Sequence, residues 1–273
     1  MSTLSLREQE LQAHFNAFHA ARASSDLASR LYAEAMRDAY PAEVAASSSC
    51  DVTLLGTMVT RLCLRPGQIL ADVGCGTGGV GLWLARALAV RLVGVDISST
   101  AVELAAARRS QFVPTEHAQF RVGTVEATGL PECHAHAVVC VDAMSNAAER
   151  TAALGEIQRI LHPGARAVIT RAVRRDSGTA PVEQAAVDAG FEVEHIDERP
   201  GEPAMWRRLY GLWIAHEADL RRDLGDVQAE NMLREANRVL PHLDGRRALV
   251  MTLRRPGPYP AAQPDRVASQ AIA

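Results

Sequence analysis

"LADVGCGTGGVGLWLARAL", residues 70–88, decides the fold. It places five glycines in the eight positions 74–81, between a short apolar run and a helical one. Glycine loses more conformational freedom on folding than any other residue, so such density marks a place where something must approach the main chain closely. "QILADVG" (68–74) reads as a buried strand that ends at glycine, and "VGLWLARAL" (80–88) as the helix that follows it.

Outward from that turn the pattern repeats. "RLVGVDIS" (91–98), "AQFRVGTV" (118–125), "AHAVVCVDA" (135–143) and "ARAVITRAV" (165–173) read as strands. "STAVELAAARRSQF" (99–112) and "RTAALGEIQRIL" (150–161) read as helices, and "PVEQAAVDAGFEVEHIDERP" (181–200) as a helix followed by a strand. Strands alternating with helices of this length predict an α/β fold, doubly wound around a mostly parallel sheet. Residues 204–241 interrupt the rhythm as two helices. The first carries Trp206, Leu209, Trp213, His216, Leu220 and Leu224 on one face, and the second is broken by Pro241. "RRALVMTLRRP" (246–256) then returns as a seventh strand. Residues 1–60 read as helices, with Leu11, Phe15, Phe18 and Arg22 on one face. The expected organisation is a helical lid (1–60), an α/β core (61–203), a helical cap (204–243), the last core strand (244–256) and a disordered tail (257–273).

Composition narrows the function. Lys+Arg 29 against Asp+Glu 32 gives a net charge of −3, which argues against a nucleic-acid partner. Every one of those cations is arginine, so Schiff-base, pyridoxal and P-loop lysine chemistry are excluded. Arginine is not a general base, which leaves proton abstraction to His, Asp, Glu, Cys or Tyr. Five cysteines without a C-x-x-C pair imply reduced thiols and a cytoplasmic setting, and no apolar run is long enough for a membrane span. Cys133, His134 and His136 match no zinc spacing, and Asp142 with Asn146 supplies too few acids for a metal-dependent reaction, so no metal is expected.

A glycine turn that opens a helix presents backbone N–H groups to a polar or anionic ligand. Asp96 closes the next strand 22 residues beyond Gly74, where a carboxylate can accept both hydroxyls of a ribose. A nucleoside-containing cofactor follows. Gly74, Gly76 and Gly79 fit a dinucleotide fingerprint, while Gly74, Gly76 and Gly78 fit a second spacing. Asp72, two residues before the first glycine, offers a carboxylate for a ligand ammonium group.

"DVGCGTGG", "VGVDIS", "FRVGTVEATGLP", "AVVCVDAM" and "RILHPGARAVIT" resemble, in order and spacing, the class I S-adenosylmethionine-dependent methyltransferases, over roughly residues 66–175. The resemblance is to the small-molecule enzymes of bacterial secondary metabolism. It implies a seven-stranded Rossmann-like fold, with S-adenosylmethionine as cofactor and S-adenosylhomocysteine as product. It further implies that Asp72 and the turn Gly74, Cys75, Gly76 and Gly78 face the methionine end, that Asp96 holds the ribose, and that Ile97 lies against the adenine. Asp142, Ala143 and Met144 would border the sulfonium. The family usually has Asp where this chain has Thr124, leaving a neutral hydroxyl, Val125 N–H and Glu126 for the adenine edge.

For the acceptor, Trp206, Tyr210 and Trp213 suggest an aromatic pocket for a small, largely apolar metabolite, although the same spacing suits core packing. His216 is the candidate base, with His14 and His19 as competitors. "VDAM" lacks the N/D-P-P-Y stretch of enzymes that methylate nucleic acid, and nothing is arranged for hydride chemistry. The alternative is a protein of the same fold that does not methylate: a cyclase, a decarboxylase or a binding protein. No membrane partner is expected, and either a monomer or a homodimer suits the composition.

Overall fold

The computed structural model describes residues 4–258. Its sheet comprises β1 (Ile69–Val73), β2 (Arg91–Asp96), β3 (Ala118–Val122), β4 (Ala135–Cys140), β5 (Leu161–Arg174), β6 (Glu192–Glu198) and β7 (Arg246–Arg254), in the order β3-β2-β1-β4-β5-β7-β6. β1 through β5 pair in parallel, and β7 runs antiparallel between β5 and β6. The order reverses between β1 and β4, so the loops leaving their carboxyl ends diverge and open a crevice.

Both faces of the sheet are covered, which explains why its central strands are apolar without alternation. In β1, Leu70 points to one face and Ala71 and Val73 to the other. α3 (Val52–Arg61) and α4 (Gly79–Leu88) bury Leu54, Met58, Leu82 and Leu84 on the Leu70 side. α6 (Arg150–Ile160) and α7 (Ala180–Asp188) bury Leu154, Ile157 and Ala186 on the other. α5 (Ser99–Arg108) packs on β2 and β3, its N-terminus capped by the Ser98 hydroxyl, which accepts from Ala101 N at 3.0 Å.

A separate apolar cluster holds the cap together. α2 (Leu27–Met36) contributes Leu31, Tyr32 and Ala35. α8 (Glu202–Ala215), α9 (Glu217–Leu224) and α10 (Asp226–Val239) contribute Leu209, Trp213, Leu220 and Met232, among others. α1 (Leu6–Ala23) starts at a reciprocal capping box between Ser5 and Glu8 and has no buried residue. It lies against α5. Gln12 Nε2 donates to Ile97 O at 2.8 Å, and Asn16 Oδ1 accepts from Ser98 Oγ at 2.7 Å and Thr100 N at 3.3 Å.

Two expectations shift and a third falls largely outside the described residues. α3 falls inside the segment expected to be lid, but its apolar face belongs to the sheet core. The cap has three helices rather than two: the chain breaks at His216 (φ −104°, ψ 26°), and α9 continues the same apolar face beyond the break. Helical spacing carries across because α8 and α9 pack on one cluster. Of the expected disordered tail, residues 259–273 lie outside the described residues.

Candidate active site

The crevice at the β1/β4 switch holds a cavity of about 470 Å³. Asp72, Gly74, Cys75, Gly76, Asp96 and Ile97 line it from the first two βα units. Thr124, Val125, Glu126 and Asp142 line the far side, and Leu11, Phe15, Phe18 and His19 of α1 form its cover. Ten of the residues singled out in the sequence for the cofactor are therefore brought together.

The glycines of the turn divide by role. A side chain on Gly78 would press on Phe120 and Ala105, one on Gly79 would collide with the Val44 carbonyl, and one on Gly81 would meet Asp72 and Leu92. Those glycines pack the turn against its neighbours, and Gly78 is the left-handed residue (φ +75°) that caps α4 rather than a lining residue. Gly76 (φ +52°) differs: its absent side chain would point at the His19 ring at 3.6 Å, across open cavity.

Two acids sit at the floor. Asp96 Oδ2 accepts from Gly76 N at 2.8 Å and Oδ1 from Ser98 N at 2.9 Å, so each oxygen keeps a lone pair for a ligand. Burial raises its pKa, with the Ser98, Gly76 and Ile97 N–H groups opposing. Asp72 is 2% exposed and accepts from Gly81 N of α4 at 3.0 Å. Burial pushes its pKa up to about 7, and Asp96 adds to the rise. The Cys75 thiol is raised well above its ordinary value by burial and then by both acids, so it stays protonated and offers no nucleophile. His19 is pushed down to about 4 by burial and by Arg22, and is a neutral ring.

Asp142 stands where this cavity meets a second, of about 540 Å³. Its backbone is left-handed (φ +59°), a conformation that Asp tolerates better than most residues. Its carboxylate accepts from Ser49 N at 2.6 Å, Ser49 Oγ at 3.1 Å and Thr170 Oγ1 at 3.0 Å. Arg199 Nη1 donates to Ser49 Oγ at 2.8 Å. These bonds fasten the loop before α3 to the carboxyl end of the sheet. The sequence carries no local signal for them, since Ser49 and Asp142 are 93 positions apart.

The second cavity lies under the cap. Met144, Trp206, Tyr210 and Trp213 line it, as does His14. Trp206 and Tyr210 stack at 5.4 Å between centroids, and Tyr210 meets Trp213 edge-on at 5.1 Å. Those aromatics also face the cap core, so packing and lining are shared by the same side chains.

Two expectations do not hold as written. His216 lines neither cavity: it ends α8, is half-exposed, and its Nδ1 lies 3.1 Å from Asp219 Oδ2 at the start of α9. Thr124 reaches the cavity, but its hydroxyl accepts from Ala127 N at 3.0 Å to close a turn, which leaves its proton as a donor to a ring nitrogen. Glu126 accepts from Ala148 N and Glu149 N and caps the start of α6. Among the described residues no group of three or more His, Cys, Asp or Glu is placed to hold a metal, and no helix is long and apolar enough to cross a membrane.

Comparison with known proteins agrees with this geometry. A family model described as a methyltransferase domain matches residues 70–164. An O-methyltransferase from Pyrenophora dematioidea is 29% identical over 124 residues, 45% of this chain and 46% of that protein. Methyltransferase GfsG from Streptomyces halstedii is 31% identical over 149 residues, 51% of this chain and 52% of that protein. The chain thus spans about half the length of the curated relatives it matches. Among solved structures, the cyclopropane synthase MmaA2 from Mycobacterium tuberculosis aligns with a TM-score of 0.71 at 14% identity, over 93% of this chain and all of that one. The [4+2]-cyclase SpnF aligns at 0.67 and 22% identity, over 76% and 81%. At these identities the likeness is one of fold.

Proposed function

We propose that this chain, whose residues 70–164 match a methyltransferase-domain model, transfers a methyl group from S-adenosylmethionine to a small molecule, as one step of natural-product tailoring. The observation that carries the reading is the pair of cavities meeting at Asp142, one floored by two acids and a glycine turn, the other walled by the cap. The donor set suits the cofactor. Asp96 has free lone pairs for ribose hydroxyls, Asp72 is an acid beside the turn, and Gly76 leaves room for a ligand. Bound there, the cofactor supplies a methyl group activated on a sulfonium, with S-adenosylhomocysteine as the product.

The chain's own work is positioning and exclusion of water. Ile97, Thr124 and Val125 line the same cavity and would border the adenine. α1 and the cap confine the acceptor against Asp142, and holding two reactants at attack distance supplies several kcal/mol without covalent catalysis. For an oxygen acceptor, His14 in the cap cavity and His19 in the cofactor cavity are the histidines within the enclosure. His19, pushed down to about 4, stays uncharged beside a cationic cofactor.

Calorimetric titration of the purified chain with S-adenosylmethionine, S-adenosylhomocysteine and NADH tests the cofactor. Binding of the two adenosyl ligands alone supports the reading and justifies an acceptor screen with labelled methyl groups. Binding of NADH instead overturns it.

Asp72 adds a pH signature. A cationic ligand favours its ionised form, whereas the free protein holds its proton up to about pH 7. Raising the pH through that value removes the cost of deprotonation, so affinity for S-adenosylmethionine should increase, by about tenfold between roughly pH 6 and 8. Near pH 7 binding should release a fraction of a proton, visible as a binding heat that depends on the buffer's ionisation enthalpy. Asp72→Asn should lack this release. An unchanged release in that variant would assign the proton to another group.

A further inference from the structure

The cap cavity contains a cation with no hydrogen-bond partner among the described residues. Arg22 lines it from the end of α1, and its Nη1 and Nη2 are both shut off from solvent with no hydrogen-bond partner among the described residues. Its guanidinium lies 3.6 Å from the Phe18 ring centroid and 5.9 Å from that of Trp213. Aromatic faces compensate a desolvated cation only in part. Guanidinium cannot shed its proton in a protein, so the charge stays, and an unpaired buried charge is strongly unfavourable.

Arg22 is not alone. The indole Nε1 of Trp213, in the same cavity, is also buried without an acceptor. Arg150, Arg171 and Arg238 line the same space and form no ion pair among the described residues. The acids of the cavity have other partners, although Glu202 Oε2 is itself buried without one and Glu235 lies within electrostatic reach of Arg22. Asp142 holds Ser49 and Thr170, Glu235 accepts from Tyr210 Oη at 2.9 Å, and Glu202 accepts from Trp206 Nε1 at 2.8 Å and pairs with Arg246. Six arginines and three carboxylates line the cavity; Arg246 pairs with Glu202 and Arg199 with Asp51, and the lining as a whole carries an excess of positive charge.

We propose that the acceptor molecule carries an oxyanion, a carboxylate or a phosphate, which seats on the Arg22 guanidinium and the Trp213 N–H while its apolar body packs on the aromatic wall. Planar guanidinium matches two oxygens of such a group in a bidentate pair. The assignment rests on the methyltransferase reading for the word acceptor, but the anion site itself stands on the orphaned donors. It also refines the expectation of a largely apolar metabolite: the apolar part is one end of an amphipathic molecule.

The test is titration of the full chain, with and without S-adenosylhomocysteine, by phenylacetate, phenyl phosphate and the neutral phenylacetamide. The wild type should bind at least one anion about tenfold more tightly than the amide. Whichever anion binds more tightly identifies the carboxylate or phosphate source. Arg22→Met should bring all three probes to within about twofold of each other, and its melting temperature should be no lower than the wild type's, because a buried unpaired charge has been removed. Trp213→Phe keeps the ring and deletes the donor, and should weaken the anions alone by about fivefold. No preference for anions in the wild type, or a preference that survives both variants, overturns the proposal. Failure of S-adenosylhomocysteine to bind the wild type would instead count against the cofactor reading, and the anion preference would still be read from the ligand-free arm.

Discussion

Asp96→Ala should raise the dissociation constant for S-adenosylhomocysteine by about a hundredfold. Two hydrogen bonds from ligand hydroxyls to a charged acceptor contribute about 1.5–3 kcal/mol each. The loss is compounded because Gly76 N and Ser98 N, which now hold the turn in place through the same carboxylate, lose their acceptor. Asp96→Asn keeps the shape and one acceptor oxygen, and should fall between the two. Calorimetry on the three proteins gives the answer directly. Affinity of Asp96→Ala within about twofold of the wild type would remove Asp96 from the cofactor site.

The second large effect separates packing from ligand binding within a single turn. Gly79→Ala drives a methyl group into the Val44 carbonyl, which cannot retreat without moving the loop that carries Ser49 to Asp142. Overpacking of that kind costs about 1–3 kcal/mol, which in a chain of this size lowers the melting temperature by about 3–10 °C. Gly76→Ala meets only the His19 ring at ordinary contact distance, so its stability cost is the left-handed backbone, about 1–2 kcal/mol. Its main damage should be to cofactor affinity. Thermal melts paired with titrations should show Gly79→Ala as the stability variant and Gly76→Ala as the binding variant. Equal melting temperatures with equal affinities would refute the division.

Local pattern explains why so much was legible. The strand-turn-helix of residues 68–88 and the acid ending β2 are properties of short stretches, where periodicity and glycine spacing report burial and backbone shape directly. Asp72, Gly74, Cys75, Gly76 and Asp96 therefore line one cavity, as short-range spacing suggested they would, while Gly78 does not. Features made by distant partners did not. The left-handed Asp142 is fixed by Ser49 and Thr170, from a loop 93 positions earlier and a strand 28 later. The break at His216 was invisible because the apolar face resumes in register beyond it. Arg22 carried a faint signal: it completes the stripe of Leu11, Phe15 and Phe18, where an apolar residue would have been expected. A cation at the end of an apolar stripe is worth testing for a buried anion partner, and here the orphaned nitrogens repay the question.

The position of α1 links the two chambers. Phe15 and Phe18 wall both cavities at once, and the helix that carries them bonds to the core through Gln12 and Asn16 and reaches into the cap through Ala21 and the buried Arg22 guanidinium. Displacement of α1 would therefore unseal both chambers at once, giving whatever occupies them a common way out.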